Sequence, residues 1–406
     1  IEKGINKETG KLEWRVCLDL RPVNLRTEKT SFPVPLLPDM REAMRGCTRF
    51  ATLDLLKGFW QVPIEEESKK YFTFITPIGK YRLNRMPMGA CNASNHMQSV
   101  MMDLLRELDN VIVFQDDILI GGQSDAELVE QLDAVLNKLD SVNMRLQLGK
   151  VNLWSKEAVF VGHLFTSRGV TADPKKIAAL LDAQRPVIVK ELRTLIYSSN
   201  FSRNYLVKFG ERVVPLQRYL TETLKGLEGA NLTRAVKKKI VWTPELIEAF
   251  EVWRRMLADH ILCSYRKEDH AVFTVSDASA DGYGWAVCQC PKEQPLGWEM
   301  KDLLGVEFLA MGSGMFTGSQ LNWSTRDKEG YGLMEPFMKS GHLLETDDDN
   351  VVRVYTDHRN LKYMLLGTNS PSTMAKERLT RWGIELSRFH VEIMHTSGED
   401  NGFADF

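Results

Sequence analysis

The stretch that most constrains this chain is Val111 to Gly122, VIVFQDDILIGG. Two short apolar runs, rich in β-branched and aromatic residues, flank Gln115, Asp116 and Asp117. The pattern predicts two strands joined by a tight turn. Aspartate in such a turn ordinarily serves the backbone, because its carboxylate accepts nearby N–H groups and it tolerates unusual φ/ψ. A metal site is the less common alternative for adjacent carboxylates on this stretch alone, and the rest of the chain has to decide between the two readings.

A chain of 406 residues is too long for one small core and is expected to divide into two or three domains. Its 43% hydrophobic and 26% charged residues match an ordinary soluble protein. No run reaches the length of a membrane span, and the N-terminal IEKGINKETGKLEWR carries charge where a signal peptide needs an apolar stretch. A cytosolic or nuclear location is expected. Cys17, Cys47, Cys91, Cys263, Cys288 and Cys290 form no CxxC pair and have no histidine at finger spacing, so buried free thiols are expected rather than zinc or disulfides. A net charge of −2 argues against indiscriminate phosphate binding but is compatible with a local basic groove.

Taken in order, KLEWRVCLDLRPVN alternates so that Arg15, Asp19 and Arg21 share one face of an expected strand. Paired arginines there are suited to phosphate, although solvated strand charge is the plainer alternative. SFPVPLLPDM has three prolines and predicts an extended connector, with a short helix over DMREAMRG. In FATLDLLKGFWQVPI, Asp54 closes a strand-like run among leucines, where a buried carboxylate needs a cation, a hydrogen-bond cage or exposure. Tyr71 to Tyr81 predicts a hairpin turning at Pro77 to Gly79, followed by a Met-rich helix over Asn95 to Leu108. Ser124 and Glu127 have capping-box spacing ahead of a helix whose apolar positions run from Leu128 to Leu139. A hairpin over VFVGHLFTSRGV and helices from Asp173 to about Leu224 come next, and residues 225–241 read as a connection or insertion. In the last third, Asp277 interrupts a strand that begins at Ala271, Glu329 lies in a helix-like segment, Asp357 closes VVRVYTD and Asp405 lies near the end. Each of these acids taken singly suits a surface or cap.

Together these blocks resemble the reverse transcriptase and ribonuclease H region of Ty3/gypsy-type LTR retrotransposon Pol polyproteins. WRVCLDLRPVN resembles the fingers strand, FATLDLLKGFWQVPI the first catalytic block, RMPMGACNAS the template grip, FQDDILIGG the catalytic hairpin and VGHLFTSRGVTADPKKI the primer grip. KELRTLIYSSNFSRNYL is similar to the thumb. TVSDAS, NWSTRDKE, YTDHRNLKYM and NGFAD are similar to the four acidic blocks of the ribonuclease domain. The resemblance implies a multidomain α+β fold: fingers and palm over 1–165, a thumb with connecting helices over 166–240, and an RNase H-like domain with a mixed sheet and helical lead-in over 241–406. The implied activity is RNA-directed DNA synthesis with cleavage of RNA in RNA–DNA hybrids.

The resemblance also implies roles for residues. Asp54 and Asp116 bridge two Mg²⁺ ions, with Asp117 as the third acid and Mn²⁺ as an alternative ion. Arg15 contacts the incoming nucleotide's phosphates, Phe59 excludes a ribose 2′-hydroxyl, and Gly89 admits the template and nucleotide against the backbone. Lys150 is a candidate proton donor to pyrophosphate. Asp277, Glu329, Asp357 and Asp405 hold two metal ions at the hybrid, whereas His395 has a structural role. Implied partners are an RNA template, a DNA primer and product, the hybrid and deoxynucleotides, together with a homodimeric mate or other Pol and Gag products. The implied setting is a cytoplasmic virus-like particle with a nuclear phase.

Four departures from the family pattern stand out, the first two of which leave every metal ligand present. Met88 stands where the family has an aromatic residue and Ser94 where it has proline. Gly330, Gly332 and Pro336 weaken the helix around Glu329. Leu296 to Met315 reads as a loop longer than the family's. The chain begins within the fingers and stops one residue after Asp405, so it is expected to be a piece of a longer polyprotein. An active enzyme is therefore set against a truncated or degraded copy that keeps the fold and binds nucleic acid without chemistry.

Overall fold

The alternating segments become strands and the periodic ones helices in a computed structural model. It describes residues 2–5, 10, 12–14, 18–293, 303–345, 351–358, 361 and 373–396. The chain forms two units, residues 1–161 with 165–167, and residues 162–164 with 168–406.

In the first unit, β1 (Glu2–Ile5) and β2 (Leu12–Trp14) pair antiparallel. The strand face expected to carry Asp19 and Arg21 does not form. Arg21 instead opens helix α1 (Arg21–Asn24), with proline in its first turn, and pairs with Asp19 at 2.7 Å. Proline is preorganised for a first helical turn and cannot donate to a strand ladder. Residues 28–36 have no regular structure and lead into α2 (Leu37–Ala43).

Next come β3 (Arg49–Asp54), the hairpin of β4 (Thr73–Thr76) and β5 (Gly79–Arg82), and α3 (Ala93–Leu105). They are followed by β6 (Val111–Phe114), β7 (Asp117–Gly122), α4 (Asp125–Ser141) and β8 (Asn152–Ser155). The central sheet has the order β6-β7-β3-β8. Met97, Met101, Leu128, Leu132, Val135 and Leu139 of the two long helices bury against Ala51, Leu53, Ile118 and Ile120 of this sheet. The methionines are core filler, as their density suggested. At the start of α4, Ser124 Oγ accepts the Glu127 N–H at 3.2 Å, and Glu127 Oε2 accepts the N–H of Gln123 at 2.9 Å, one residue before the cap.

The chain passes to the second unit through β9 (Glu157–Phe160), β10 (His163–Thr166) and β11 (Gly169–Ala172). There, α5 (Pro174–Leu181) is capped by Asp173, whose Oδ1 accepts the Lys175 N–H at 2.9 Å. Helices α6 (Val189–Asn200), α7 (Phe209–Arg212) and α8 (Val214–Leu224) follow. Residues 225–241, expected as a connection, contain α9 (Gly229–Ala235). In α10 (Pro244–Ala258), Leu246, Phe250, Trp253 and Leu257 form the buried stripe, and Trp253 Nε1 donates to Ser199 Oγ at 3.1 Å. β12 (Cys263–Ser264) pairs with β11.

Five strands make the main sheet of this unit: β13 (His270–Ala278), β14 (Gly282–Pro291), β15 (Glu307–Met315), β16 (Val352–Thr356) and β17 (Val391–His395). Their order is β15-β14-β13-β16-β17, antiparallel through β15, β14 and β13 and parallel through β13, β16 and β17. Side chains alternate as strand geometry requires. Val272, Val287, Val352 and Val354 pack with the residues of α11 (Thr325–Leu344) and α12 (Thr373–Leu386), while Phe273, Val275, Ala286, Cys288 and Tyr355 form a second cluster.

Two expectations are corrected in this unit. Part of the supposed long loop is strand β15, and residues 294–302 lie outside the described residues. The segment around Glu329 is helical over Thr325–Leu344 but kinked at Ser340, four residues beyond Pro336, so the turns that carry Glu329, Gly330, Gly332 and Pro336 are regular helix. Burial of Leu333, Met334 and Phe337 offsets its poor intrinsic propensity. Gly330 packs closely on Trp382, since a Cβ there would stand 3.1 Å from the ring and the indole would have to give by a few tenths of an ångström. Among the described residues, no helix is long and apolar enough to cross a membrane. Cys47, Cys263, Cys288 and Cys290 are buried thiols outside any disulfide.

Ile120 is fully buried whereas Leu136, on α4, is 38% exposed. Ile120→Ala should cost about 2–5 kcal/mol in chemical denaturation. Leu136→Ala should stay within about 0.5 kcal/mol. Similar costs for the two would contradict the assigned helix face.

Candidate active sites

In the first unit the β3–β7 register brings the acids together. The two strands are antiparallel with Asp54 directly opposite Asp117, and Asp116 lies in the turn between β6 and β7. The Leu55 N–H donates to the Asp116 carbonyl at 3.0 Å, which fixes the turn beside the end of β3. Asp54, with its side chain 19% exposed, meets two of its three stated needs: Lys150 Nζ donates to its Oδ2 at 2.8 Å, and it keeps some contact with solvent. Burial, and then the neighbouring Asp116 and Asp54 charges, push Asp117 up to about 6. Burial is also the main cause that raises Asp116, with Asp54 adding to it. Lys150 is raised by its hydrogen bond to Asp54.

The frame around these acids includes residues that the sequence reading passed over. Gln98 is fully buried on α3. Its Nε2 donates to the Val113 carbonyl at 3.0 Å and its Oε1 accepts the Gln115 N–H at 2.7 Å, so one amide clamps the turn. Gln115 has φ +56°, a conformation that costs a non-glycine residue energy and that this clamp holds. Gln61 Nε2 donates to the carbonyls of Leu56 and Arg145, and its Oε1 accepts the Arg145 N–H at 2.7 Å, bracing the loop after Asp54. A lone glutamine on the apolar face of a Met-rich helix was the available signal for Gln98.

Phe59 lies in the 3₁₀ turn Gly58–Gln61 just beyond Asp54 and packs partly against the sheet core. Gly58 must be glycine in this packing, since a Cβ would fall 2.8 Å from Asp116 Cβ. Gly89, at φ +92°, is in an exposed loop with open space around it, and its carbonyl accepts from Asn24 Nδ2 at 2.9 Å. Arg15 lies outside the described residues.

In the second unit, Val275 of β13 pairs with Tyr355 of parallel β16. Asp277 and Asp357 each stand two residues further along, so the two carboxylates emerge side by side. Glu329 faces them from α11, and the three offer ligand atoms all within 4.8 Å of one another, the one such cluster among the described residues. Burial, then Asp357 and Asp277, raise Glu329 to about 8. Its Oε2 is buried without a hydrogen-bond partner. Three crowded oxygens with one left orphaned are a donor set that a divalent cation satisfies. Asp405, expected as the fourth acid, lies outside the described residues. His395 ends β17 and is exposed there.

Comparison with known proteins follows this division. The family model "Reverse transcriptase (RNA-dependent DNA polymerase)" matches residues 5–165, and "RNase H-like domain found in reverse transcriptase" matches 268–389. The chain is 29% identical over 400 residues to the retrovirus-related Pol polyprotein from transposon 297 of Drosophila melanogaster, covering 98% of this chain and 34% of the relative. It is 26% identical to the Transposon Tf2-3 polyprotein of Schizosaccharomyces pombe, covering 99% and 28%. The chain thus spans about a third of the length of these relatives. A structure titled as the foamy viral protease-reverse transcriptase in complex with dsDNA has a TM-score of 0.73 at 20% identity, covering 97% of this chain and 76% of that one. The fold is therefore that of a right-hand polymerase followed by an RNase H-like domain.

Glu329 gives a pH signature. An acid raised from 4.5 to about 8 binds more protons folded than unfolded across that interval. Its contribution therefore lowers stability as pH rises from 4.5 through 8. Denaturation in the presence of a chelator should show this loss, and Glu329→Gln should remove it. An unchanged pH slope in Glu329→Gln would refute the assigned burial.

Proposed function

Because the chain belongs to the reverse transcriptase and RNase H region of Ty3/gypsy-type retrotransposon Pol polyproteins, we propose that it is an RNA-directed DNA polymerase joined to a ribonuclease that cleaves RNA in RNA–DNA hybrids. The carrying observation is that acids stand at strand ends within each matched segment: Asp54 opposite Asp117 with Asp116 in the adjoining turn, and Asp277, Glu329 and Asp357 with ligand atoms within 4.8 Å of one another. We divide the chain into fingers and palm over 1–165, thumb over 166–240 and the ribonuclease domain over 241–406.

Asp54, Asp116 and Asp117 would hold divalent ions at the polymerising site, and Asp277, Glu329 and Asp357 would hold them at the hydrolytic site, with Asp405 expected as the fourth acid. Bound Mg²⁺ supplies activation of the attacking oxygen and stabilisation of charge at the phosphoryl group. The residues do the rest. Asp54 and Asp116 would be the principal ligands of those ions, and Asp117, opposite Asp54 across the strand pair, would be the third acid. Lys150, which donates to Asp54, is the candidate to give a proton to the leaving pyrophosphate. Phe59 blocks a ribose 2′-hydroxyl, Gly89 leaves room for template and nucleotide, and Arg15 takes phosphate charge. Hybrid selection at the second site depends on 2′-hydroxyls and groove shape. The substrates are an RNA template, a DNA primer, the hybrid and deoxynucleotides, and we infer a cytoplasmic site of action.

Primer extension on an RNA template with Mg²⁺ tests the first activity: Asp116→Asn should lower it by about a hundredfold or more. Cleavage of hybrid RNA should fall comparably in Asp277→Asn, with primer extension retained. Absence of extension by the unaltered chain would favour the silent descendant. Phe59→Val should raise ribonucleotide incorporation by about tenfold or more relative to deoxynucleotide; equal selectivity would remove Phe59 as the gate.

A further inference from the structure

Lys208 brings a fixed positive charge to the acid cluster of the second unit from outside the five-stranded sheet. It precedes α7 with φ 49° and ψ 32°, a left-handed conformation that a non-glycine residue keeps only where its surroundings hold it. Its side chain is 13% exposed and ends with Nζ 2.9 Å from Asp277 Oδ2. On the way it crosses Gly284, the cross-strand partner of Asp277, where a Cβ would stand 3.3 Å from Lys208 Cγ. A side chain at 284 would therefore crowd the stem of Lys208 by a few tenths of an ångström.

The segment that presents this lysine is anchored. Arg203 Nη2 donates to the Ser313 carbonyl, the Gly210 N–H donates to Ser313 Oγ at 2.8 Å, and Gly210 lies against Gly314 of β15. The ammonium thus arrives on a docked support, whereas a surface lysine would be free to sample solvent.

We propose that Lys208 is a positioning residue that serves as the internal counter-ion of the hydrolytic site. It holds Asp277 when no divalent ion is bound, and a divalent ion takes that oxygen only by displacing it, which couples metal occupancy to the docking of residues 203–212. The inference rests on the reading of Asp277, Glu329 and Asp357 as a metal site. An ammonium and a divalent cation repel strongly at such range, and both use the same carboxylate lone pairs, so the two compete.

The test is Mn²⁺ titration of the full chain followed by electron paramagnetic resonance, with this site's component identified as the one lost in Asp357→Asn. Lys208→Met keeps the stem and removes the charge; it should tighten that component about fivefold or more, and Lys208→Arg should restore wild-type affinity. Gly284→Ala, which crowds the lysine, should tighten it in the same direction and decides the matter if Lys208→Met fails to fold. In the wild type, saturating Mn²⁺ should speed amide exchange across 203–212, and in Lys208→Met it should not. Equal or weaker Mn²⁺ affinity in folded Lys208→Met overturns the counter-ion role while leaving the metal site standing. Absence of any Asp357-dependent component in wild type and variant alike overturns the metal site, and the inference with it.

Discussion

The antiparallel register of β3 and β7 is the constraint on which the first unit depends. Setting Asp54 opposite Asp117 places carboxylates on neighbouring strands at the rim of a sheet whose interior, Leu53, Ile118 and Ile120, is closed to water. A shift of one residue would turn the apolar positions of the strand outward and carry the acid into the core, so the same packing that stabilises the sheet fixes the site. The cost is electrostatic. Asp116 and Asp117 are both raised, chiefly by burial and further by like charge, and the turn carrying them needs the buried amide of Gln98 to hold its shape.

The second unit solves the same problem with different topology. There the acids sit beyond the paired ends of two parallel strands and the third comes from a helix laid across the sheet. That helix is poor by local propensity, with glycines and a proline in its interior. It persists because Leu333, Met334 and Phe337 bury fully against the sheet and Trp382 fills the space that Gly330 leaves. Each site therefore draws its rigidity from apolar packing behind it and leaves a compensating cation beside it: Lys150 at Asp54 and Lys208 at Asp277.

Much of this was legible in the sequence. Short apolar runs rich in β-branched and aromatic residues marked β3, β6, β7, β13 and β14, and the apolar repeat from Leu128 to Leu139 marked the buried face of α4. Acids interrupting such runs flagged Asp54, Asp116, Asp277 and Asp357, because a carboxylate among leucines and valines needs a reason to be there. Three readings failed where local pattern was misleading. Arg21 followed an alternating segment but preceded a proline that started a helix. Residues 225–241 looked too rich in glycine and charge to contain α9, and Glu307–Met315 looked like loop although it is an edge strand.

The sequence by itself determined which side chains carry charge into apolar surroundings and which periodicity each segment follows, since both are properties of neighbours along the chain. Only the tertiary structure decided that Asp54 faces Asp117, that Glu329 closes on Asp277 and Asp357, and that Gln98, Gln61 and Lys208 serve those acids. These relations join residues tens of positions apart, set by strand register and by where a helix docks. Local residue pattern supplies the groups, and only long-range packing brings them within hydrogen-bonding distance.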